Sequence, residues 1–492
     1  MSAASAQRRP AFIGVLSLAF LAAGVARAQW SSDPSDNLIV SNLQGGTTQP
    51  KIAPTRDGGF YVSWLGNDAD GYDLWLQRID ADGNPLWAAN GILIADRAYP
   101  LVIDYGLCTD ADDDAFLAYS CCTYTAPSEV ITLSKILPDG TRAWNGVASL
   151  SDRSVLNAYC TVGDDGDVVA AWSQDGGVHG QKFDAGGNPQ WVLGGVIAST
   201  TTGVNLVAHV GAGTAGDVIV SWNNISGTNR ALFAQKLDSA DGSARWNGGM
   251  PRRVFGAGSL ETSFYPFDPD GSGGAVFWDY DTSGAHDVPR VQHLAADGTA
   301  MFGANGVIAT ADTTIDHTDT YAWFNAATGD TYVVWRDARD DGPQPAEGVS
   351  AQRIDAAGAL QWGDNGRVLA PLVDSDDADA ISQLIALPAP DGFVASWVVG
   401  VTPAPDQPLR AMYVDTDGNA AWASMTVDAK TTRYTSHAVG AVSTMGFLAY
   451  AWSDGDEASG ISTIRAQNIN LDGSLGMAPP EDVIFRDGFD GS

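Results

Sequence analysis

The sequence predicts an all-β fold, an eight-bladed β-propeller of four-stranded blades. Three observations predict it: a pair of aromatic residues recurs along the chain, short β-type runs alternate with Gly, Asp and Asn turns, and the two ends of the repeat array complement each other. The composition agrees, because a chain with 56 Gly and 16 Trp favours short strands and tight turns over helices.

Each repeat unit carries one aromatic residue in its second strand and another after the turn that follows its third strand. The units recur at intervals of roughly 50 to 60 residues, and solenoid repeats of this length are usually helical, whereas no helical periodicity is present. We interpret the tryptophans as blade-packing residues that bury a large apolar surface with the indole N–H hydrogen-bonded. The first column consists of Trp64, Tyr119, Trp172, Trp222, Trp278, Trp335, Trp397 and Trp452, the second of Trp87, Trp144, Trp191, Trp246, Phe302, Trp362 and Trp422, and a Gln recurs between them at Gln77, Gln181, Gln235, Gln292, Gln352 and Gln467.

Within a unit, Gly, Asp and Asn turns separate four short β-type runs. Their hydrophobic alternation is imperfect, as expected for sheets that neighbouring blades cover on both faces. In one unit the runs are predicted at Ala158–Val162, Asp167–Trp172, His179–Phe183 and Gly195–Ser199.

The two ends of the array predict how the ring closes. The eighth unit has its turn at residues 471–474 but lacks the second tryptophan and the outer strand. Trp30 and the segment Asn37–Ser41 resemble the missing piece. We therefore expect the first strand to be the outermost strand of the last blade, which would cover the exposed strand edges at the seam.

Residues 1–28 read as a secretory signal peptide. Arg8 and Arg9 precede an apolar stretch, and residues 26–28 form a small-x-small cleavage site. The apolar stretch is about 15 residues, short of the ~20 that span a bilayer. We expect cleavage near Ala28, a propeller domain over residues 29–478, a flexible tail over 479–492, and a secreted protein in the periplasm or outside the cell.

The charge balance excludes one class of partner. With 59 acidic and 26 basic residues the formal net charge is −33, so phosphate backbones would repel the chain. We expect no nucleic-acid partner, no membrane span and a monomer.

The four cysteines, Cys108, Cys121, Cys122 and Cys160, fit an oxidising compartment. Two disulfides are expected. Of the three possible connectivities, two remain if the neighbours Cys121 and Cys122 do not pair.

The repeats resemble a group of exported bacterial β-propeller proteins. The resemblance rests on Trp335-x-Asp337-x-Arg339, the run 351–355 and the element 358–366, and it covers nearly all of residues 30–477. Members of that group are largely without an assigned reaction, so the resemblance implies extracellular binding. Residues 483–490 resemble a C-terminal tail of exported proteins from Gram-negative bacteria.

A second resemblance concerns one turn. Residues 238–246 are similar to the tryptophan-docking motif of pyrroloquinoline-quinone propellers, some of which carry a vicinal disulfide that Cys121 and Cys122 would imitate. The sequence offers no convincing cofactor-binding set, so a quinoprotein is the least favoured interpretation.

Acid-rich loops follow the second strand of several units. Asp68, Asp70 and Asp73 are the kind of oxygen ligands that Ca²⁺ prefers, which makes Ca²⁺ the one cofactor that the sequence suggests. The alternative is that such residues are solvated turn formers. Residues 268–273 also resemble the start of a calcium loop, but a β-turn between two strands explains them better.

Loops that enter the innermost strands should border the channel mouth, where propellers usually bind ligands. We predict a non-enzymatic binding or interaction module for a glycan, a peptide or an envelope protein. The alternative is a carbohydrate-active enzyme, a polysaccharide lyase or glycoside hydrolase, with acid–base groups at the mouth. The predicted ligand-binding residues are Tyr99, Asn157, Tyr159, Asp316, Asp377, Asp379 and Arg433, and the catalytic residues of an enzyme would be His317, His437, Tyr434 and Asp319.

Overall fold

The structure is a computed structural model of the chain. It describes residues 29–98, 102–122, 130–149, 155–192, 194–199, 202–256, 267–340, 345–374, 381–399, 408–428, 433–456 and 461–477. The predicted signal peptide and C-terminal tail lie outside these residues, and so do Tyr99, Asp377 and Asp379.

The described residues form eight four-stranded antiparallel sheets, which confirms the predicted eight-bladed propeller. A single 3₁₀ turn, Trp246–Gly249, is the one helical element among these residues. Blades 1 to 4 consist of β2 (Thr47–Pro54), β3 (Phe60–Asn67), β4 (Tyr72–Ile79) and β5 (Ile92–Ala95); β6 (Gly106–Thr109), β7 (Ala115–Cys121), β8 (Val130–Ile136) and β9 (Arg142–Val147); β10 (Val155–Val162), β11 (Val168–Gln174), β12 (Gly177–Phe183) and β13 (Val196–Ile197); and β14 (Val204–Ala212), β15 (Val218–Ser226), β16 (Asn229–Leu237) and β17 (Arg252–Arg253).

The last blade takes one of its strands from the start of the chain. Blades 5 to 8 consist of β18 (Phe267–Pro269), β19 (Ala275–Asp281), β20 (Val288–Leu294) and β21 (Val307–Ile308); β22 (Asp316–Asn325), β23 (Asp330–Arg339), β24 (Ala346–Ile354) and β25 (Arg367–Asp374); β26 (Ile381–Ala389), β27 (Gly392–Val399), β28 (Leu409–Asp415) and β29 (Ala420–Asp428); and β30 (Arg433–Val442), β31 (Leu448–Asp456), β32 (Ile461–Ile469) and β1 (Leu38–Ser41).

The ring closes as predicted. The first strand of every blade contacts the first strands of both neighbouring blades, so these eight strands surround the axis. β1 pairs antiparallel with β32, with Leu38 opposite Ala466. β1 therefore covers the outer edge of β32 and gives the last blade four strands like the others.

The second aromatic column joins each blade to the next. Each ring lies on a turn glycine of the neighbouring blade; a Cβ on Gly83, for instance, would lie 2.7 Å from the Trp30 ring. Gly83 has φ of 86°, so glycine serves both the turn and the close approach. The Trp30 indole N–H also donates to the carbonyl of Ala81 at 2.9 Å. The eight pairs are Trp30–Gly83, Trp87–Gly140, Trp144–Gly187, Trp191–Gly242, Trp246–Gly298, Phe302–Gly358, Trp362–Gly418 and Trp422–Gly473.

The recurring glutamine fixes the second aromatic within its own blade. The Gln181 side chain donates to the carbonyl of Val192 at 2.9 Å and accepts the backbone N–H of Trp191 at 3.0 Å. In the last blade, Gln467 donates instead to Ser31 at 2.7 Å. The N-terminal segment thus replaces the missing outer strand in its hydrogen bonds as well as in its pairing.

The loop that resembles a calcium site is a hairpin turn. One Asp270 oxygen accepts the backbone N–H groups of Ser272 and Gly274, at 2.7 and 2.9 Å, and the other lies 2.9 Å from His293 Nε2. Burial raises the pKa of Asp270, but the hydrogen bonds from His293 and the backbone outweigh burial and lower it to about 2.

The first aromatic column lies in the blade cores, but one expectation about it is wrong. Trp172 and Trp335 donate their indole N–H to Gln174 and Asp337, each two residues later. Blade 1 has Gly66 at that position, which has no side chain to accept the proton. Among the described residues, the indole N–H groups without an acceptor in this column are those of Trp64, Trp222, Trp278 and Trp452.

Candidate functional site

The innermost strands carry a repeated irregularity where they enter the channel. Six of the eight show a β-bulge in the pairing of the first strand with the second. At five of these bulges a polar residue adopts a left-handed backbone, which is strained for residues other than glycine and is frequent at functional sites. These residues are Gln49, Asn157, Asp319, Gln383 and His437, with φ of 48°, 37°, 47°, 49° and 51°.

Three of the five residues meet in one open cavity of about 430 Å³, which we call the mouth cavity. They come from the innermost strands of three consecutive blades, β22, β26 and β30. The described lining residues are Asp319, Tyr321, Gln383, Leu384, Ser436, His437 and Ala438.

Gln383 bridges two blades across this cavity. Its side-chain amide donates to the carbonyl of Thr435 at 3.1 Å and accepts the backbone N–H of Ala438 at 3.1 Å. Both bonds run from β26 to β30, so they hold His437 between two fixed points.

Asp319 is held by an ion pair. Its carboxylate accepts a hydrogen bond from Arg336 Nε at 2.7 Å, and Arg336 Nη1 donates to Glu347 at 2.6 Å. The planar guanidinium fixes the orientation of both carboxylates. Asp319 therefore presents an oriented acceptor to the cavity, not a carboxylate without a counter-ion.

Besides Asp319, the described lining of the mouth cavity has two titratable side chains, His437 and Tyr321, and both are uncharged near pH 7. Burial lowers the pKa of His437, which favours the uncharged imidazole. Burial, with a smaller contribution from the Asp319 charge, raises the pKa of Tyr321 to about 12. An uncharged imidazole and a protonated phenol each supply one hydrogen-bond donor and one acceptor.

Tyr321 also lines a second cavity of about 440 Å³, which we call the channel cavity. Lys51 and Asp104 form an ion pair there at 2.8 Å, and Tyr159 donates to the same carboxylate at 2.6 Å. Burial raises the pKa of Asp104, but the Lys51 charge and the hydrogen bonds outweigh burial, so the pKa lies below its usual value. The channel cavity thus contains an ion pair with a hydrogen-bonded tyrosine. The mouth cavity instead has uncharged side chains beside Asp319, which is paired with Arg336.

His209 completes the channel cavity. Its ring lies 6.4 Å from that of Tyr159 and 5.2 Å from that of Phe267. Burial, and then the Lys51 charge, lowers the pKa of His209 to about 4, so this imidazole is neutral at physiological pH.

The sequence predicted Asn157, Tyr159, Asp319 and His437 as site residues, and the structure places all four beside these cavities or at their bulges. Lys51, Asp104, His209 and Gln383 were not predicted, because no recognised motif includes them. The sequence did contain a signal for part of this set, since Lys51, Tyr159 and His209 each stand 13 residues before the first-column aromatic of their own unit.

The structure separates the proposed acid–base residues. His317 lines a different cavity, in blade 6, and does not line the mouth cavity with His437 and Asp319. Asp316 lies outside the channel, where it accepts the backbone N–H of Asp287 at 2.9 Å. Arg433 and Tyr434 belong to β30, with their side chains outside the described atoms.

The disulfides follow the third of the possible connectivities, in which the neighbours Cys121 and Cys122 pair with each other. Cys108 pairs with Cys160 and thereby links β6 to β10, at a Cα–Cα distance of 5.9 Å. Cys160 also lines the channel cavity, so this bond ties two innermost strands together at the site.

The carboxylates of the predicted calcium loop have separate partners. Asp68 accepts the backbone N–H groups of Asp70 and Gly71 at 2.8 and 3.0 Å, and Asp73 accepts that of Arg97 at 2.8 Å. Burial raises the pKa of Asp73, which disfavours its charged form. Within the described part of the chain, no group of three or more His, Cys, Asp or Glu side chains is placed to share a metal ion.

No protein-family model and no curated protein matches this chain. Several solved structures are similar to it in shape. The Dos1 propeller is 12% identical, with 88% of this chain and 95% of that chain covered and a TM-score of 0.46. Polysaccharide lyase Uly1 is 11% identical, with 86% and 91% covered and a TM-score of 0.41. The β-propeller domain of the Trilobed protease from Pyrococcus furiosus is 8% identical, with 78% and 96% covered and a TM-score of 0.40. At these identities the likeness concerns architecture alone.

Among the described residues, no helix combines the length and the apolarity that a membrane crossing requires.

Proposed function

We propose that the protein is an exported, non-enzymatic binding module that holds a glycan in the mouth cavity. The observation that carries this proposal is the convergence of Asp319, Gln383 and His437, all left-handed and all at bulges of adjacent innermost strands, on one open cavity. Polar side chains on rigid strands form a preorganised site, which lowers the entropic cost of binding.

The chemistry of the cavity favours a glycan over a charged ligand. Asp319 is already paired with Arg336, while Tyr321 and His437 are uncharged near pH 7. Groups of this kind exchange hydrogen bonds with hydroxyl groups, each of which donates one and accepts others. A peptide or an envelope protein is the competing class of ligand.

Binding is favoured over catalysis at this cavity. A general base must reach the proton that it removes, and its pKa must suit that step. Two of the predicted catalytic residues, Asp319 and His437, lie here but have other hydrogen-bond partners. Asp319 binds Arg336 at 2.7 Å, and His437 Nδ1 lies 3.3 Å from Ser436 Oγ.

One observation supports a carbohydrate-active enzyme as the second candidate. The channel cavity places the Tyr159 hydroxyl 2.6 Å from Asp104, and the neutral His209 lies beside the same ring. A tyrosine and an uncharged histidine are plausible acid and base for a lyase. This function would therefore use the channel cavity, with Tyr159 as the only one of its described lining residues predicted for ligand binding, and not the catalytic residues predicted from the sequence.

Screening of the purified protein on a polysaccharide array separates these functions. The readouts are retention of a glycan and the appearance of new reducing or unsaturated ends. Binding to a glycan without new ends is the expected result. New ends would establish the enzyme, and a failure to retain any glycan on the array would overturn the glycan proposal.

Two variants test the mouth cavity, and His437→Asn is the one that separates it from the channel cavity, because Tyr321 lines both. His437→Asn removes the imidazole but keeps a residue type that tolerates a left-handed backbone. Tyr321→Phe removes only the hydroxyl group. Each should weaken glycan binding about fivefold to tenfold, which corresponds to one lost hydrogen bond. Tyr72→Phe, in the third strand of blade 1, is the matched control and should bind as the unmodified protein does.

Export is part of the proposal. It rests on the features of residues 1–28 and on the two disulfides, which persist in oxidising compartments. Mass spectrometry of protein recovered from outside the cytoplasm should find an N-terminus at Gln29. Protein that retains Met1 and stays in the cytoplasm would contradict it.

A further inference from the structure

Blade 6 contains a cavity of about 340 Å³ that is separate from the channel, which we call the blade 6 cavity. One side is the connection from β21 to β22, with Asp312 and Ile315. Strands of blade 6 supply the rest, with His317 and Ser350 at its polar end and Leu372 at its apolar end.

Asp337 organises the polar end. Its Oδ1 accepts hydrogen bonds from the Trp335 indole at 2.8 Å and from His317 Nδ1 at 2.6 Å, and its Oδ2 accepts the Ser350 hydroxyl at 2.5 Å. Three donors therefore surround one buried carboxyl group. As the acceptor for His317 Nδ1–H, Asp337 fixes the orientation and the tautomer of the ring.

His317 is left with one group unused. With Nδ1–H donated to Asp337, Nε2 is the ring nitrogen that remains for a ligand, and it is an acceptor in this tautomer. The side chain is 3% exposed, and Nε2 has no hydrogen-bond partner among the described residues. A buried acceptor without a partner is unfavourable, and the ring lines an open cavity that can supply a donor.

The lining shows which donor the cavity suits. Asp312 and Asp337 are carboxylates, and none of the described lining residues is Lys or Arg. The potential is therefore negative, which favours a cation. Val368 and Leu372 are 68% and 39% exposed and provide aliphatic surface.

We propose that the blade 6 cavity binds a small primary amine with a branched aliphatic body, whose ammonium group donates to His317 Nε2 and to the Asp312 carboxylate. The hydrocarbon body would lie against Ile315, Val368 and Leu372. This site is independent of the glycan site, because the two cavities share no lining residue.

The test uses isobutylamine, isobutanol and isovalerate as probes, which share a body and differ in the polar group. Binding to the purified protein is measured by saturation-transfer NMR, and the histidine side-chain nitrogens are followed in a long-range ¹H–¹⁵N spectrum. Isobutylamine should bind and shift the Nε2 resonance that His317→Phe removes. Equal binding of isobutanol, preference for isovalerate, or no binding of isobutylamine would each overturn the proposal.

Variants locate the amine. His317→Phe should weaken binding at least about tenfold, and Asp312→Asn, at the rim, about threefold. Asp112→Asn removes an exposed carboxylate in blade 2 and should leave binding unchanged. If His317→Phe does not fold, Asp312→Asn and the Nε2 shift in the unmodified protein decide the question, and binding that is indifferent to both would overturn the proposal.

Discussion

The two halves of the channel use the same repeat position in different ways. On the side of blades 1 to 3, Lys51, Asp104 and Tyr159 form a charge-paired cluster beside the Cys108–Cys160 disulfide. On the side of blades 6 to 8, Gln383 and His437 offer uncharged polar groups from a strained backbone. Bulges occur in both halves, so the repeat supplies the geometry, while the side chains at or near the bulges set the chemistry. The Cys108–Cys160 bond, added to the Lys51–Asp104 ion pair, should therefore stabilise the first half more strongly than the Arg336 ion pairs and the Gln383 hydrogen bonds stabilise the second.

The largest expected effect concerns the disulfide between β6 and β10. Cys108→Ser with Cys160→Ser opens a loop with a sequence separation of 52, and the loop-entropy account gives a loss of about 4 kcal/mol in unfolding free energy. Urea unfolding measures it. The control is Cys121→Ser with Cys122→Ser, whose separation is 1, so its entropic contribution should be much smaller. Equal losses in the two variants would contradict the distinct role of the first bond.

The second effect is a pH dependence of the unfolding free energy, to which His209 in the channel cavity should contribute more than His437 in the mouth cavity. The pKa of His209 is about 4 in the folded protein and about 6.5 in an unfolded chain, so the unfolded state binds more protons between these values. Stability should therefore fall by up to about 3 kcal/mol as the pH drops from 6.5 to 4.

The variant His209→Phe should flatten this part of the stability profile, as measured by urea unfolding at several pH values. His437→Asn is the comparison from the mouth cavity. Burial lowers the pKa of His437 too, so that variant should change the profile in the same direction but less. A His209→Phe profile as steep as that of the unmodified protein would exclude His209 as the cause.

The third effect compares one carboxylate from each half. Asp104→Ala leaves Lys51 without its ion-pair partner and Tyr159 without its acceptor, which should cost about 2 to 3 kcal/mol. Asp319→Asn should cost less than about 1 kcal/mol, because its side chain is 38% exposed. The midpoints of urea unfolding measure both. A larger loss of unfolding free energy for Asp319→Asn than for Asp104→Ala would mean that the side of blades 6 to 8 is the more strongly stabilised half.

The smallest effect isolates the backbone strain of the mouth cavity. Gln383→Ala loses two hydrogen bonds and keeps a φ of 49° on a residue that disfavours it. Gln383→Gly loses the same bonds but tolerates that φ, so it should be more stable than Gln383→Ala by about 1 kcal/mol. Thermal unfolding of the pair measures the difference. Identical midpoints would mean that the bulge stores no strain.

The fold was predictable because its determinants repeat. Eight first-column aromatics mark the second strands, and the seven second-column aromatics with Trp30 mark the docks between blades. Even the seam was readable, since Trp30 and Asn37–Ser41 match a segment that the eighth unit lacks. The candidate site was predicted only in part, because its residue types differ from unit to unit. These residues occupy similar places in the blades, but the sequence does not repeat there.

The sequence alone therefore determined the number of blades, the strand order and the closure of the ring, since large aromatics and turn glycines act locally or between adjacent units. Only the tertiary structure decided that Lys51 reaches Asp104, that Cys121 pairs with Cys122, and that His317 faces a cavity apart from His437. The physical reason is that side-chain contacts across a channel depend on bulges and on strand register. A shift of a few ångströms in either changes the partner of a charge but not the packing of a tryptophan.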